Sequence, residues 1–250
     1  MDESGDTGAP SAPDRSAFPQ TRWSLVVSAR DQDSPAAERA LSELCELYWF
    51  PLYCFVRRKG HSPQDAEDLT QEFFRLVIEK NFLATADAER GKLRSFLLTA
   101  MKHFLSDSWR AGNAQKRGGG KVILSLDQKT AEDRYLIEPS HEQTPEALFE
   151  LHWAQNLLDQ IMTKLRAVYH DLGKSDLFEA LHEFIAWNSA EGSYGEASAK
   201  LGITEGTARV TVFRMRKRYG ELLRAQIEET VASPEDVAGE LQHIFKILQT

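Results

Sequence analysis

The stretch Leu201-Gly202-Ile203-Thr204-Glu205-Gly206-Thr207-Ala208-Arg209-Val210-Thr211-Val212-Phe213-Arg214-Met215-Arg216-Lys217-Arg218-Tyr219 leaves its backbone few choices. Gly202 can take a left-handed turn conformation, and Thr204 can cap a helix that starts just after it. At about 100° per residue, Ala208, Val212, Met215, Tyr219 and Leu222 line one face, which predicts burial. Thr207, Val210, Thr211, Arg214, Lys217 and Arg218 fall on the other side, short near the helix start and cationic beyond it. With Tyr194 to Leu201 as the preceding helix, the pattern predicts a helix-turn-helix whose second helix reads base edges with its first turns and holds phosphates with its arginines.

The chain has 250 residues, enough for one large or two modest domains, and its 42% hydrophobic and 27% charged content is ordinary for a soluble globular protein. No run reaches the roughly 18 apolar residues that a membrane helix requires, and Met1 to Pro19 has acids where a signal peptide needs basic and then apolar residues. A cytoplasmic location with no membrane partner is the expectation. Cys45 and Cys54 lie too far apart for a CxxC pair and read as buried, reduced thiols. The scattered histidines offer no metal-ligand spacing, so neither metal nor cofactor is expected.

A net charge of −8 conceals a sorting of charge along the chain. Arg90, Lys92, Arg94, Lys102, Arg110, Lys116, Arg117 and Lys121 gather with only Asp107 among them, and Arg209 to Arg224 is basic apart from Glu221. Acids fill Asp65 to Glu79, Glu132 to Glu150 and Glu228 to Glu240. Two cationic faces on an acidic body point to nucleic-acid contact at two places and a protein partner for the acidic surface.

Helical spacing without strand alternation predicts an all-α chain of two helical domains joined by a flexible linker. Residues 1–20, rich in Pro, Ser, Gly and Asp, should be disordered. Residues 21–111 read as a first helical domain, with Leu41, Leu44, Leu47, Tyr48 and Phe55, then Phe73, Phe74, Val77 and Ile78, at core spacing. Residues 112–145, with a glycine run and the short patch Val122-Ile123-Leu124, read as the linker. A second domain follows at 146–225, opened by a Thr144 cap and Pro145, and residues 226–250 form an extension whose helix Ser233 should cap.

Within the first domain, Ser62-Pro63 opens a helix bearing Asp65-Ala66-Glu67-Asp68-Leu69-Thr70-Gln71-Glu72-Phe73-Phe74. Its acids, with Gln71, can dock on a basic protein surface. Thr70 within it is a candidate phosphorylation site. The basic loop Ala88 to Arg94 and the helix carrying Lys102 and His103 can hold a single strand, with phosphates on the cations and an extruded base in the loop. Two other classes compete. A stand-alone helix-turn-helix regulator would explain the C-terminal helix alone, and a metal-dependent nuclease would use the Asp65 to Glu72 acids without a histidine pair or phosphate loop to help them.

Together these segments resemble the sigma-70 family of bacterial RNA polymerase initiation factors, and within it the compact extracytoplasmic-function (ECF) group. Asp65 to Phe73 resembles the region-two helix that docks on the polymerase clamp, and Leu201 to Thr207 resembles the region-four turn into its recognition helix. The resemblance spans roughly Phe18 to Phe245 and implies a non-enzymatic factor that binds core RNA polymerase and promoter DNA. It implies polymerase contact by Asp65, Asp68, Gln71 and Glu72. Minus-ten contact would fall to Arg90, Lys92, Arg94, Lys102, His103 and Arg110, and minus-thirty-five contact to Thr207, Val210, Thr211, Arg214, Lys217 and Arg218. Control by an anti-sigma factor, by a kinase or by the C-terminal extension is left open by the sequence. His103 stands where the family often has asparagine, and Tyr169 to Lys174 replaces its usual Leu-Pro opening of region four. The tail beyond Arg224 resembles that of a planctomycete-like subgroup.

Overall fold

A computed structural model describes residues 35–79, 92–112, 128–136, 143–185, 193–231 and 233–249. The expected disorder of residues 1–20, most of the basic loop at 88–94 and the Val122-Ile123-Leu124 patch lie outside the described residues. The helices are α1 (Pro35–Arg58), α2 (Pro63–Glu79), α3 (Leu93–Gly112), α4 (Gln128–Leu136) and α5 (Pro145–Asp171). They continue with α6 (Ser175–Leu181), which runs into a 3-10 turn at His182–Phe184, then α7 (Tyr194–Leu201), α8 (Glu205–Glu228) and α9 (Asp236–Leu248). No strand occurs among the described residues, so the protein is all-α, as its periodicity predicts. Among them no helix is long and apolar enough to cross a membrane.

Helix α1 is buried on every side from Leu47 to Val56, and it carries Pro51 in its interior. Proline has no amide hydrogen, so the Leu47 carbonyl one turn earlier loses its helical donor. Asn156 of α5 replaces it, its Nδ2 donating to the Leu47 oxygen at 3.2 Å. Arg134 of α4 donates in turn to Asn156 Oδ1 at 3.1 Å and lies 4.1 Å over the Phe50 ring. A defect in one helix is thus repaired by two others, which sets their register against it.

Around this joint Leu52, Phe55, Phe74, Leu97, Met101, Phe149, Trp153, Leu157 and Ile161 form one continuous core. Leu223 and Ile227 of α8 and Val237 and Ile244 of α9 belong to the same cluster. A second core joins Leu165 of α5 to Phe178, Leu181, Phe184, Ala197, Ala208, Val212 and Met215. Helix α5 begins where expected, with Thr144 accepting from the Ala147 amide at 3.1 Å and Pro145 in the first turn. Its 27 residues then serve both cores, the first from Leu148 to Ile161 and the second from Leu165 onward. Helix α8 does the same in reverse order, and its Tyr219 and Leu222 touch both.

The segment expected to be a linker contains α4, a helix that local periodicity does not reveal. Glu132 docks it: Arg57 of α1 donates through Nε at 2.9 Å and Nη2 at 2.7 Å, and the Tyr53 hydroxyl donates at 2.5 Å. These bonds hold the Glu132 carboxyl below the usual range, chiefly through Arg57. Burial and the same carboxylate push the Tyr53 hydroxyl up. At the C-terminal end the expected Ser233 cap is corrected. The Asp236 amide bonds to the Ser233 carbonyl at 3.1 Å, so the chain completes a turn before α9 begins, and Ser233 Oγ meets the Asp236 carboxylate at 3.2 Å instead of a helix amide.

Replacing Asn156 by alanine should leave the Leu47 carbonyl buried without a donor and lower unfolding stability by about 1–3 kcal/mol, read by urea denaturation. Glu132 gives a pH test. A carboxylate whose folded pKa is depressed adds stability above its ordinary value and loses it as pH falls through the folded value. The stability gap between the native chain and Glu132→Gln should therefore be full near neutrality and close as pH drops below the ordinary value of 4.5, measured by denaturant melts across that range.

Candidate nucleic-acid interface

The turn into α8 is built as its residues dictate. Gly202 takes φ 64° and ψ 28°, and its amide reaches the Ala199 and Ser198 carbonyls to close α7. Ile203 donates to the Ser198 carbonyl at 3.1 Å, completing a left-handed helix stop. Thr204 then accepts from the Thr207 amide at 3.2 Å. Ala208, Val212 and Met215 are fully buried against α5, α6 and α7, while Tyr219 and Leu222 are partly buried.

The opposite face is open. Thr207, Val210, Arg214, Lys217 and Arg218 are exposed, and Thr211 is half-buried with its hydroxyl donating to the Thr207 carbonyl at 2.8 Å. Arg218 lies 3.1 Å from Glu221, an exposed pair that solvent weakens. Two neighbouring arginines serve the scaffold: Arg209 stacks 4.5 Å over the Tyr194 ring, and Arg216 donates to the Phe184 carbonyl at 2.7 Å. Phe213, outside the set expected from sequence, is 69% exposed on this cationic face. Its position three residues after Val210 was the available signal.

The expected minus-ten set divides. Lys102 and His103 are exposed on α3, with Lys102 paired to Glu146 at 2.8 Å. Arg90 lies outside the described residues, as does the side chain of Arg110. Lys92 is half-exposed and ion-paired with Glu240 at 2.5 Å. Arg94 is buried, and here the expectation of a DNA-facing side chain is corrected for the conformation described. Its guanidinium lies 4.3 Å over the Trp153 ring, bonds to Glu150 at 2.8 Å and pairs with Glu240. Burial pulls its pKa down from the usual arginine value, and the neighbouring Glu150 opposes that shift.

Helix α2 presents Asp65, Asp68 and Glu72 at spacings of three and four, one stripe along one face. Asp65 and Asp68 are exposed. Ser62 caps the helix, accepting from the Asp65 amide at 3.1 Å and donating to its carboxylate at 2.7 Å. Gln71 donates to Glu67 at 3.2 Å, and Glu72 accepts from Arg75 Nε at 2.7 Å. Thr70 faces inward, fully buried, with its hydroxyl donating to the Ala66 carbonyl at 2.7 Å. A kinase has no access to it, so the phosphorylation expectation is withdrawn.

An acidic stripe on α2, exposed Lys102 and His103 on α3 and a capped helix-turn-helix in one all-α chain agree with what a comparison with known families finds. A family model described as ECF sigma factor matches residues 37–171, from within α1 to the end of α5 and just over half of the chain. The protein belongs to that family, one of factors for transcription initiation. The match bears out the ECF group and, ending at residue 171, does not support the planctomycete-like likeness of the tail. No curated protein and no solved structure matched the chain.

Proposed function

We propose that this sigma factor binds core RNA polymerase through the acidic stripe of α2 and promoter DNA through α3 and α8, so that the polymerase starts transcription at chosen sites. The observation that carries the reading is the two-sidedness of α8. Its apolar stripe is sealed in the second core, and what remains outside is a row of short side chains followed by cations, held by a capped turn. On a duplex, Thr207, Val210 and Thr211 would meet base edges in the major groove of the minus-thirty-five element. Arg214, Lys217 and Arg218 would neutralise phosphates.

Lys102 and His103, with Arg90, Lys92 and Arg110, would take the minus-ten strand. Asp65, Asp68, Gln71 and Glu72 would meet a basic surface of the polymerase, which is the charge complement they require. A stand-alone regulator would use α7 and α8 equally well, yet it assigns no role to the stripe on α2. Neither activity calls for covalent chemistry by this chain. Binding energy does the work.

Replacing Arg214 and Arg218 by alanine should weaken minus-thirty-five duplex binding about equally across sequences and lower its salt slope by about one for each phosphate contact removed. Fluorescence anisotropy at two ionic strengths reads this, and unchanged affinity at both would exclude α8 as the duplex reader. Reversing Asp65 and Asp68 to lysine should abolish co-purification with core polymerase while circular dichroism stays unchanged. Persistent co-purification would remove α2 from the polymerase interface. Run-off transcription with purified core polymerase, mapped across the genome, tests the reading as a whole, and absence of any new start site refutes it.

A further inference from the structure

The segment opening α3 and the last helix meet in a cluster of charge that occupies two cations expected at the minus-ten strand. Lys92 immediately precedes α3 and Arg94 lies in its first turn, Glu150 comes from α5, and Glu240 and His243 from α9. The Glu240 side chain has no exposure to solvent and ion-pairs with both Lys92 and Arg94. Glu150 accepts from Arg94 Nε at 2.8 Å and meets His243 Nε2 at 3.0 Å. A carboxylate so deeply buried is tolerated only where cations surround it. The cations here belong to the segment whose neighbours Lys102 and His103 face outward.

One negative charge shared between a lysine and an arginine is also what a nucleic-acid phosphate would present to them. The tail from Glu228 to Glu240 carries the same sign of charge as a strand, and its Glu240 is the acid that meets Lys92 and Arg94. Helix α9 is 13 residues long and is seated by Val237 and Ile244, with Leu241 and Ile247 partly buried beside them. It is therefore a small element held by a short apolar seam, the buried Glu240 pairs and the His243 contact with Glu150.

We propose that α9 is a built-in competitor of the promoter strand: Glu240 takes the place of a phosphate on Lys92 and Arg94, and a strand engages this part of α3 only as α9 swings away. The proposal rests on the assignment of α3 to the minus-ten strand. Departure of α9 breaks the Lys92 pair with Glu240 and leaves Glu150 of α5 as its acidic neighbour. Arg94 is released on the side facing Glu240, while its other side stays bonded to Glu150 and stacked on Trp153.

The test uses the full chain and a fluorescein-labelled, random-sequence single-stranded DNA of roughly 12 nucleotides, a length matched to ordinary strand-binding sites. Glu240→Gln should bind it about tenfold more tightly than the native chain at low salt, with a salt slope steeper by about one to two phosphate contacts. Glu235→Gln removes one exposed acid from the same tail and should change affinity by less than about twofold, as screened surface charge does. Adding Lys92→Ala to Glu240→Gln should cancel most of the gain.

In the native chain, amide exchange across residues 236–248 should quicken as the oligonucleotide is added, a readout that needs no substitution. An affinity of Glu240→Gln no greater than that of Glu235→Gln overturns the proposal. So does unchanged exchange in α9 at saturating oligonucleotide, which decides the matter even if Glu240→Gln fails to fold. Should α9 exchange quickly in Glu240→Gln while neither protein binds the strand, the assignment of α3 is what fails. Should both bind equally with α9 protected, that assignment survives and the competition is refuted.

Discussion

A proline in the middle of the most buried helix imposes the constraint on which the first core rests. Pro51 strips one donor from α1, and the orphaned Leu47 carbonyl lies where water has no access. A single amide, that of Asn156, satisfies it, and this fixes both the rotation and the axial position of α5 against α1. Arg134 orients the same amide from α4, so a nominal linker helix is drawn into the arrangement. Hydrophobic burial supplies most of the driving force for packing these helices together. It is not directional, and the polar repair is what selects one register.

From that joint the order spreads along α5. The helix enters the first core at Leu148 and leaves the second beyond Leu165 without a break, and α8 returns along it. The surfaces assigned to polymerase, strand and duplex are therefore carried by elements with shared packing. The buried ion cluster at Arg94 extends this sharing to the C-terminal helix, since α3, α5 and α9 each contribute charge to it.

Features set by neighbours in the sequence were legible. The left-handed Gly202, the Thr204 and Thr144 caps, the buried stripe of α8 and the Ser62 opening of α2 all follow from residues within a few positions of one another. Features set by distant partners were not. Arg94 reads as a surface cation until Glu240, far away along the chain, is placed beside it. The docking of α4 requires knowledge that Arg57 and Tyr53 point toward residue 132. Thr70 looks accessible among acids, and only the packing of Ala66, Phe73 and Phe74 shows that its side of the helix is the inner one. Ser233 has the chemistry of a cap, but an intervening turn moves the helix start two residues onward.

The two thiols lend the molecule a reporter of its own. Cys45 and Cys54 both lie on α1, at 2% and 0% exposure, and burial pushes the Cys45 thiol up to about 12. Alkylating agents act on thiolates, so neither sulfur is a target while α1 stays enclosed. The rate at which iodoacetamide labels them is then a clock for opening of the first core, requiring no engineered probe. A departure of α9 would advance that clock only if the seam formed by its Val237 and Ile244 keeps α1 sealed.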